Sequence, residues 1–323
     1  MQQRNFVKDG LLGLATGDAL GVPVEFKDRE FLRQRPVTEM KGYGSHNQPP
    51  GTWSDDTSLA CCQAEALVEG INLQKMADNF IRWRYEKWWT PHGSVFDIGM
   101  ATNEAIYRLK TGTPPELAGG MEEDDNGNGS LMRIFPLAFR IGQKEEKERY
   151  RITRQVSAIT HGHVRSAIAC HYFLEFVRLL MEGKEKLEVF NVLRKNFPDF
   201  LKSISIHPNE IAHFHRLFDS SFPLLPESSI HSGGYVVHTL EAAIWCILET
   251  GNYSEAVLKA VNLGSDTDTT GAVAGALAGV LYGAADIPET WLQQLAKRND
   301  IEALADRLHD SVFGQGDPVK EKT

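Results

Sequence analysis

The chain has 323 residues, 42% hydrophobic and 24% charged, with a formal net charge of −9. This is a globular balance, long enough for a sizeable core. The acidic excess argues against a nucleic-acid or anionic-membrane binder, since phosphate contacts need clustered Lys and Arg. A small phosphorylated ligand stays open, because metal ions or helix N-termini can supply local positive potential. Cys61, Cys62, Cys170 and Cys246 form no CxxC pair. Reduced core thiols in a cytoplasmic protein are expected. Residues 1–10 contain Lys8 and Asp9 and lack the apolar run of a secretory signal.

In chain order, the first feature is a glycine series, Gly10, Gly13, Gly17 and Gly21. On a helix these line one face and admit a neighbouring backbone, despite about 1 kcal/mol lost per glycine relative to alanine. Residues 57–70 consist of good helix formers with Gly70 as the stop. Residues 103–110 place Ala105, Ile106 and Leu109 on one face, and 166–181 read as a long apolar helix. Val189, Leu193 and Phe197 recur at i+4, and 239–248 and 269–282 complete the helical set. A second series, Gly271, Gly275 and Gly279, lies in the last of these, so the two glycine-bearing helices are expected to pack tightly. The apolar stretch 271–285 is shorter than the roughly 20 residues a membrane span needs. Loops are expected at 27–53, 111–130 and 207–234. Alternating β patterns are scarce. The expected fold is an all-α bundle forming one domain over residues 1–323.

Chemistry concentrates at two helix entrances, Ser54-Asp55-Asp56-Thr57 and Asp266-Thr267-Asp268-Thr269-Thr270. Asp, Ser and Thr are ordinary N-cap residues that complement the helix dipole. A cap needs only one of them, however, and four gathered carboxylates repel one another without a cation. Hard oxygen ligands suit Mg²⁺, Mn²⁺ or Ca²⁺ rather than zinc. Independent caps and a shared two-metal site both fit the spacing. Asn126-Gly127-Asn128-Gly129-Ser130 permits close backbone approach to a phosphate or sugar, with Ser130 a candidate cap for a following helix. Asp97 reads as a further cap, His161 and His163 as hydrogen-bonding rather than metal-binding residues, and His213 and His215 as surface residues.

The order GLLGLATGDALGVPVEF, WSDDTSLA, FDIGMATNEAI, NGNGSLMR, ITHGHVRSAIA, SGGYVVHTLEAA, GSDTDTTGAVAGALAG resembles the ADP-ribosylglycohydrolase family. It is most similar to the bacterial branch that includes dinitrogenase reductase-activating glycohydrolase. The resemblance implies an all-α fold with a dinuclear magnesium centre, manganese being the alternative. Carried over, the metal ligands are Ser54, Asp55, Asp56, Asp266, Asp268 and Thr269, with Asp55 and Asp56 also counted as catalytic. Glu25 matches an acidic residue of an N-terminal loop, and Asp97 an acid beside the substrate ribose. Gly127, Asn128, Gly129 and Ser130 match the phosphate-cradling loop, with Asn126 counted beside them as substrate-binding, and His161 and Tyr235 match positions near the nucleotide. Val164 and Arg165 follow the histidine motif where relatives often carry proline, and Met100 replaces a polar residue. The implied activity is hydrolytic removal of ADP-ribose from an arginine of a modified protein, by a monomer. Serine-linked ADP-ribose and O-acetyl-ADP-ribose are the enzymatic alternatives, and a silent ADP-ribose-binding member the non-enzymatic one.

Overall fold

A computed structural model describes residues 4–314; residues 1–3 and 315–323, the ends of the expected 1–323 unit, lie outside it. The described chain is all-α, with seventeen α-helices, six short 3₁₀ turns and two isolated bridges in place of a sheet. At its centre the helix Phe6–Gly21 packs along Thr267–Tyr282. Around this pair sit Asp55–Val68, Val236–Glu249, Tyr253–Val261 and Arg298–Phe313. Val164–Met181 bridges the centre to Glu146–Ala158 and Lys186–Ser203.

The two glycine series explain the central pair. A Cβ at Gly13 would lie 2.2 Å from the Gly275 carbonyl oxygen, and one at Gly17 would lie 2.1 Å from that of Gly271. From the other side, Gly275 faces the Gly13 carbonyl at 2.2 Å and Gly279 that of Asp9 at 2.2 Å. The helices therefore touch backbone to backbone. Gly10 is the exception, because its missing side chain makes room for the Phe135 ring instead.

The expected helices are all present, but most begin earlier than their apolar periodicity suggests. The element expected at 57–70 is Asp55–Val68, capped by Ser54 and followed by Gly70 at φ 114°. Those expected at 103–110, 166–181, 239–248 and 269–282 are Met100–Lys110, Val164–Met181, Val236–Glu249 and Thr267–Tyr282. Helix starts are set by caps and backbone geometry, whereas periodicity registers only once residues reach the core.

The expected loops are partly helical: Arg29–Gln34, Pro115–Ala118, Pro208–Ala212 and His215–Phe218 fall within them. Two cap assignments are corrected. No helix follows Ser130 directly, and the helix after Asp97 is capped at Gly99 while Asp97 takes φ 48°. Residues 271–282 of the 271–285 stretch belong to a core helix that ends before Gly283, and no described helix is long and apolar enough to cross a membrane.

Replacing Gly275 by valine forces a side chain into the Gly13 carbonyl. Overpacking of this kind typically costs about 1–3 kcal/mol, and here neither backbone can yield. The variant is expected to lose at least about 3 kcal/mol of unfolding free energy, read from urea denaturation.

Candidate active site

The central crossing ends where Gly21 meets the backbone of Asp268; a Cβ there would lie 2.3 Å from the Asp268 Cα. Thr267 donates its hydroxyl to the Gly21 carbonyl at 2.8 Å. The chain leaving the first helix is then stitched to the start of its partner, with Phe26 N–H donating to Ser265 O and Ser265 N–H to Lys27 O, both at 2.7 Å. Both Phe26 (φ 65°) and Ser265 (φ 67°) are left-handed. Such conformations cost non-glycine residues about 1–3 kcal/mol each and gather at functional sites. Asp97 is a third.

Two helix starts and the first helix thereby bring their carboxylates together. Oxygens of Asp18, Asp56 and Asp268 lie within 4.8 Å of one another, as do those of Glu25, Asp266 and Asp268. Asp18, Glu25, Asp55, Asp56 and Asp268 are buried. Asp18 accepts the Ser54 N–H at 2.9 Å, and the Thr57 N–H at 3.0 Å and hydroxyl at 2.6 Å, so it caps the Asp55 helix from another element. Ser54 donates its hydroxyl to Asp56 Oδ2 at 3.0 Å, and Thr269 donates to the same oxygen at 3.4 Å. Asn128 Nδ2 holds Asp266 Oδ2 at 2.7 Å and Thr239 Oγ1 at 2.8 Å.

Three carboxylate oxygens, Asp56 Oδ1, Asp266 Oδ1 and Asp268 Oδ2, are buried with no hydrogen-bond partner among the described residues. A buried acceptor without a donor costs about 1–3 kcal/mol, more when charged. Burial pushes the acids upward: Asp18 and Glu25 to about 7, and Asp55, Asp56 and Asp268 well above the ordinary range, with neighbouring carboxylates adding to the last three. Unpaired oxygens, hydroxyls and carboxylates with no thiol form a donor set for hard divalent cations. The residues fit a metal site.

Beside the cluster opens a cleft of about 300 Å³ lined by Glu25, Asp55, Asp97, Asp266 and Thr269 and also by Gly127, Asn128, Gly129 and His161. The remaining expected residues sit elsewhere. Ser54, Asp56 and Asp268 lie behind this lining, inside the cluster. Ser130 is buried against Ser157 Oγ at 2.9 Å and Cys170 Sγ at 3.4 Å. Asn126 donates to the Glu123 carbonyl, and its own carbonyl accepts the Val236 N–H. Tyr235 bridges Gly127 through its backbone and lies under the Arg165 guanidinium at 5.8 Å. His163 caps its own helix by accepting the Arg165 N–H, and Arg165 pairs with Glu210 at 3.0 Å. His213 and His215 are exposed, as expected.

A family model described as ADP-ribosylglycohydrolase matches residues 1–318. The chain belongs to the ADP-ribosylglycohydrolase family. ADP-ribosylarginine hydrolase Tri1 of Serratia proteamaculans (strain 568) is 32% identical over 305 residues, which span 93% of this chain and 78% of that protein. ADP-ribosyl-(dinitrogen reductase) glycohydrolase of Rhodospirillum rubrum is 31% identical over 299 residues, 90% of each chain. A solved structure described as an ADP-ribosylglycohydrolase-related protein complex matches with a TM-score of 0.80 at 33% identity, covering 97% of this chain and 100% of that one.

Two members of this glycohydrolase's acidic site escaped the sequence reading. Asp18 had one signal: an acid in the last turn of a helix, where the dipole disfavours it. His46 had none; it lies in a loop and bonds Glu25, between the Phe26 and Phe96 rings.

Carboxyls held above their ordinary range keep protons that the unfolded chain releases. In chelator, stability is therefore fully present below about pH 4 and lost as pH rises through about 7, where Asp18 and Glu25 ionise. Cations bind the ionised form, so Mg²⁺ is expected to raise the melting temperature more at about pH 8 than at about pH 5. Equal increments in thermal melts would count against a cation site in this cluster.

Proposed function

We propose that this chain hydrolyses the N-glycosidic bond between ADP-ribose and an arginine side chain of a modified protein. The observation that carries the reading is three unpaired carboxylate oxygens, on Asp56, Asp266 and Asp268, within two convergent acid groups that share Asp268, beside a cleft that also has a glycine-lined wall. The two relatives named for arginine-linked ADP-ribose and for ADP-ribosyl-dinitrogen reductase support it. Ser54, Asp55, Asp56, Asp266, Asp268 and Thr269 would hold two Mg²⁺ ions, with Mn²⁺ an acceptable substitute. Bound there, divalent cations supply Lewis-acid charge to ribose hydroxyl and water oxygens.

The protein's own groups do the rest. Asn128 fixes the orientation of Asp266, and Asp18 anchors the start of the Asp55 helix, so the ligands are held before substrate arrives. The Gly127–Gly129 backbone lines the cleft where the diphosphate would lie, with the His161 ring packed against Gly129. Glu25, Asp97 and Asp124 are the cleft carboxylates outside the two helix starts. Of these, Glu25 and Asp97 converge with His46 beside the acid cluster, and they hold the ribose and take the proton of the attacking water. The water oxygen bonds the anomeric carbon as its bond to the guanidine nitrogen breaks, and the released proton ends on the guanidine. An acidic cleft suits that cationic leaving group.

Turnover is expected to need Mg²⁺ or Mn²⁺ and to vanish after exhaustive chelation. Asp55→Ala and Asp268→Ala are each expected to lower kcat by orders of magnitude while the helical circular-dichroism signal persists. Linkage is tested by the ratio of kcat/KM values for arginine-, serine- and acetyl-linked ADP-ribose, since only differential transition-state binding discriminates. Faster release from serine would reassign the substrate and keep the hydrolase. No turnover of any of the three, with ADP-ribose still bound, would favour a silent binding protein.

A further inference from the structure

Arg133 is fully buried, yet none of its bonded partners is a carboxylate. Its guanidinium donates to Gln63 Oε1 at 2.7 Å, to the carbonyls of Val156 at 3.1 Å and Ser157 at 3.4 Å, and to Thr160 Oγ1 at 2.7 Å. The Phe80 ring covers it at 4.8 Å. Burial lowers its pKa only to about 10, so it stays charged at neutral pH. A buried cation without an anion is costly, which directs attention to what it holds.

Arginine can only donate, so one lone pair of Thr160 Oγ1 is taken. The hydroxyl proton then has one acceptor among the described hydrogen bonds, His161 Nδ1 at 3.0 Å. A ring that accepts at Nδ1 carries its proton on Nε2. That edge faces the glycine loop: a Cβ at Gly127 would lie 3.3 Å from Nε2, and one at Gly129 would lie 2.6 Å from Cε1 and 3.3 Å from Nε2. His161 itself lines the cleft. Burial and the Arg133 charge together hold its pKa down to about 3, so the ring is neutral across the working range.

We propose that Arg133, acting through Thr160, is a positioning residue that locks His161 in its Nε2–H tautomer and aims a permanent N–H donor at a diphosphate lying along the Gly127–Gly129 backbone. The diphosphate target rests on the functional reading above; the tautomer does not. A donor that needs no protonation serves an anionic ligand without adding another titrating group to an acidic cleft. The same guanidinium places one positive charge behind the wall that the phosphates would face.

The test uses full-length protein with Mg²⁺, labelled with ¹⁵N at histidine, with His161→Gln to assign the resonance. Long-range ¹H–¹⁵N spectra of the wild type are expected to show an unprotonated Nδ1 and a protonated Nε2. Thr160→Val keeps the side-chain shape and removes the donor. It is expected to populate the Nδ1–H form and to weaken ADP-ribose binding by calorimetry about tenfold, the scale of one lost hydrogen bond. Thr160→Ser should restore both. An Nδ1–H ring in the wild type would overturn the proposal even if the variant failed to fold. Unchanged tautomer and Kd in Thr160→Val would also overturn it. Absence of ADP-ribose binding by the wild type would overturn the functional reading and the donor's target, while the spectrum would still decide the tautomer.

Discussion

The site depends on how closely two helix backbones can approach. Gly13 and Gly17 meet Gly275 and Gly271 with each backbone pressed against the other's carbonyls. Every side chain omitted costs helix propensity, about 1 kcal/mol relative to alanine, and the close contact has to offset it through dispersion along the crossing. Tyr253 adds a directional tie by donating its hydroxyl to the Gly13 carbonyl at 2.7 Å. The register matters as much as the distance. One more glycine, Gly21, lies against Asp268, so the crossing delivers the end of one helix to the beginning of the other. Asp18, three residues earlier, then lies within reach of both Asp268 and the Asp55 helix start.

That arrangement works against the folded state's own electrostatics. Like charges repel, and carboxylates removed from water favour their neutral forms. The usual remedy for a buried acid, an arginine or lysine partner, is missing: the bonds made by Asp18, Asp56, Asp266 and Asp268 come from hydroxyls, an amide and backbone N–H groups. Elsewhere the chain does use that remedy, as in the bidentate pairing of buried Glu175 with Arg149 at 2.5 and 2.7 Å. The contrast marks the acid cluster as a place where the compensating charge is meant to come from outside the polypeptide. The left-handed Phe26, Asp97 and Ser265 fit the same picture, since strain there persists only because the surrounding bonds determine it.

Both glycine series, the Ser54–Thr57 and Asp266–Thr270 clusters and the longer apolar helices were legible because each leaves a local pattern. Periodicity shows which face is buried, and two acids where a cap needs one suggest a further task. Most of what escaped lacks such a pattern. Glu146–Ala158 carries charge on so much of its surface that its apolar stripe is thin, whereas Leu73–Glu86 buries Met76, Ala77, Phe80 and Trp83 along one face and was legible. The bond from Asn128 to Asp266 spans 138 positions and joins two motifs that read separately as a loop and a cap. The family resemblance placed Ser130 with the glycine loop, and the fold turns its hydroxyl inward to Ser157. Arg133, three residues later, read as the tail of a motif, and only the fold shows it enclosed.

An acidic chain that handles an anion needs its positive potential confined to a small region, and the two walls of the cleft differ accordingly. The wall built by the helix starts gathers carboxylates, so it attracts cations and repels a bare phosphate. The wall built by Gly127–Gly129 presents backbone, the His161 ring and a single carboxylate, Asp124, with the Arg133 charge behind it and no carboxylate bonded to that guanidinium. A ligand with a diphosphate at one end and a ribose joined to a cationic group at the other has the matching polarity. Reversing it would set phosphate against carboxylate and guanidinium against Arg133. With that ligand, walls anchored to the core would discriminate orientation before any chemistry occurs. The net charge of the chain, carried mostly by exposed groups, is screened by solvent and has little bearing on that choice.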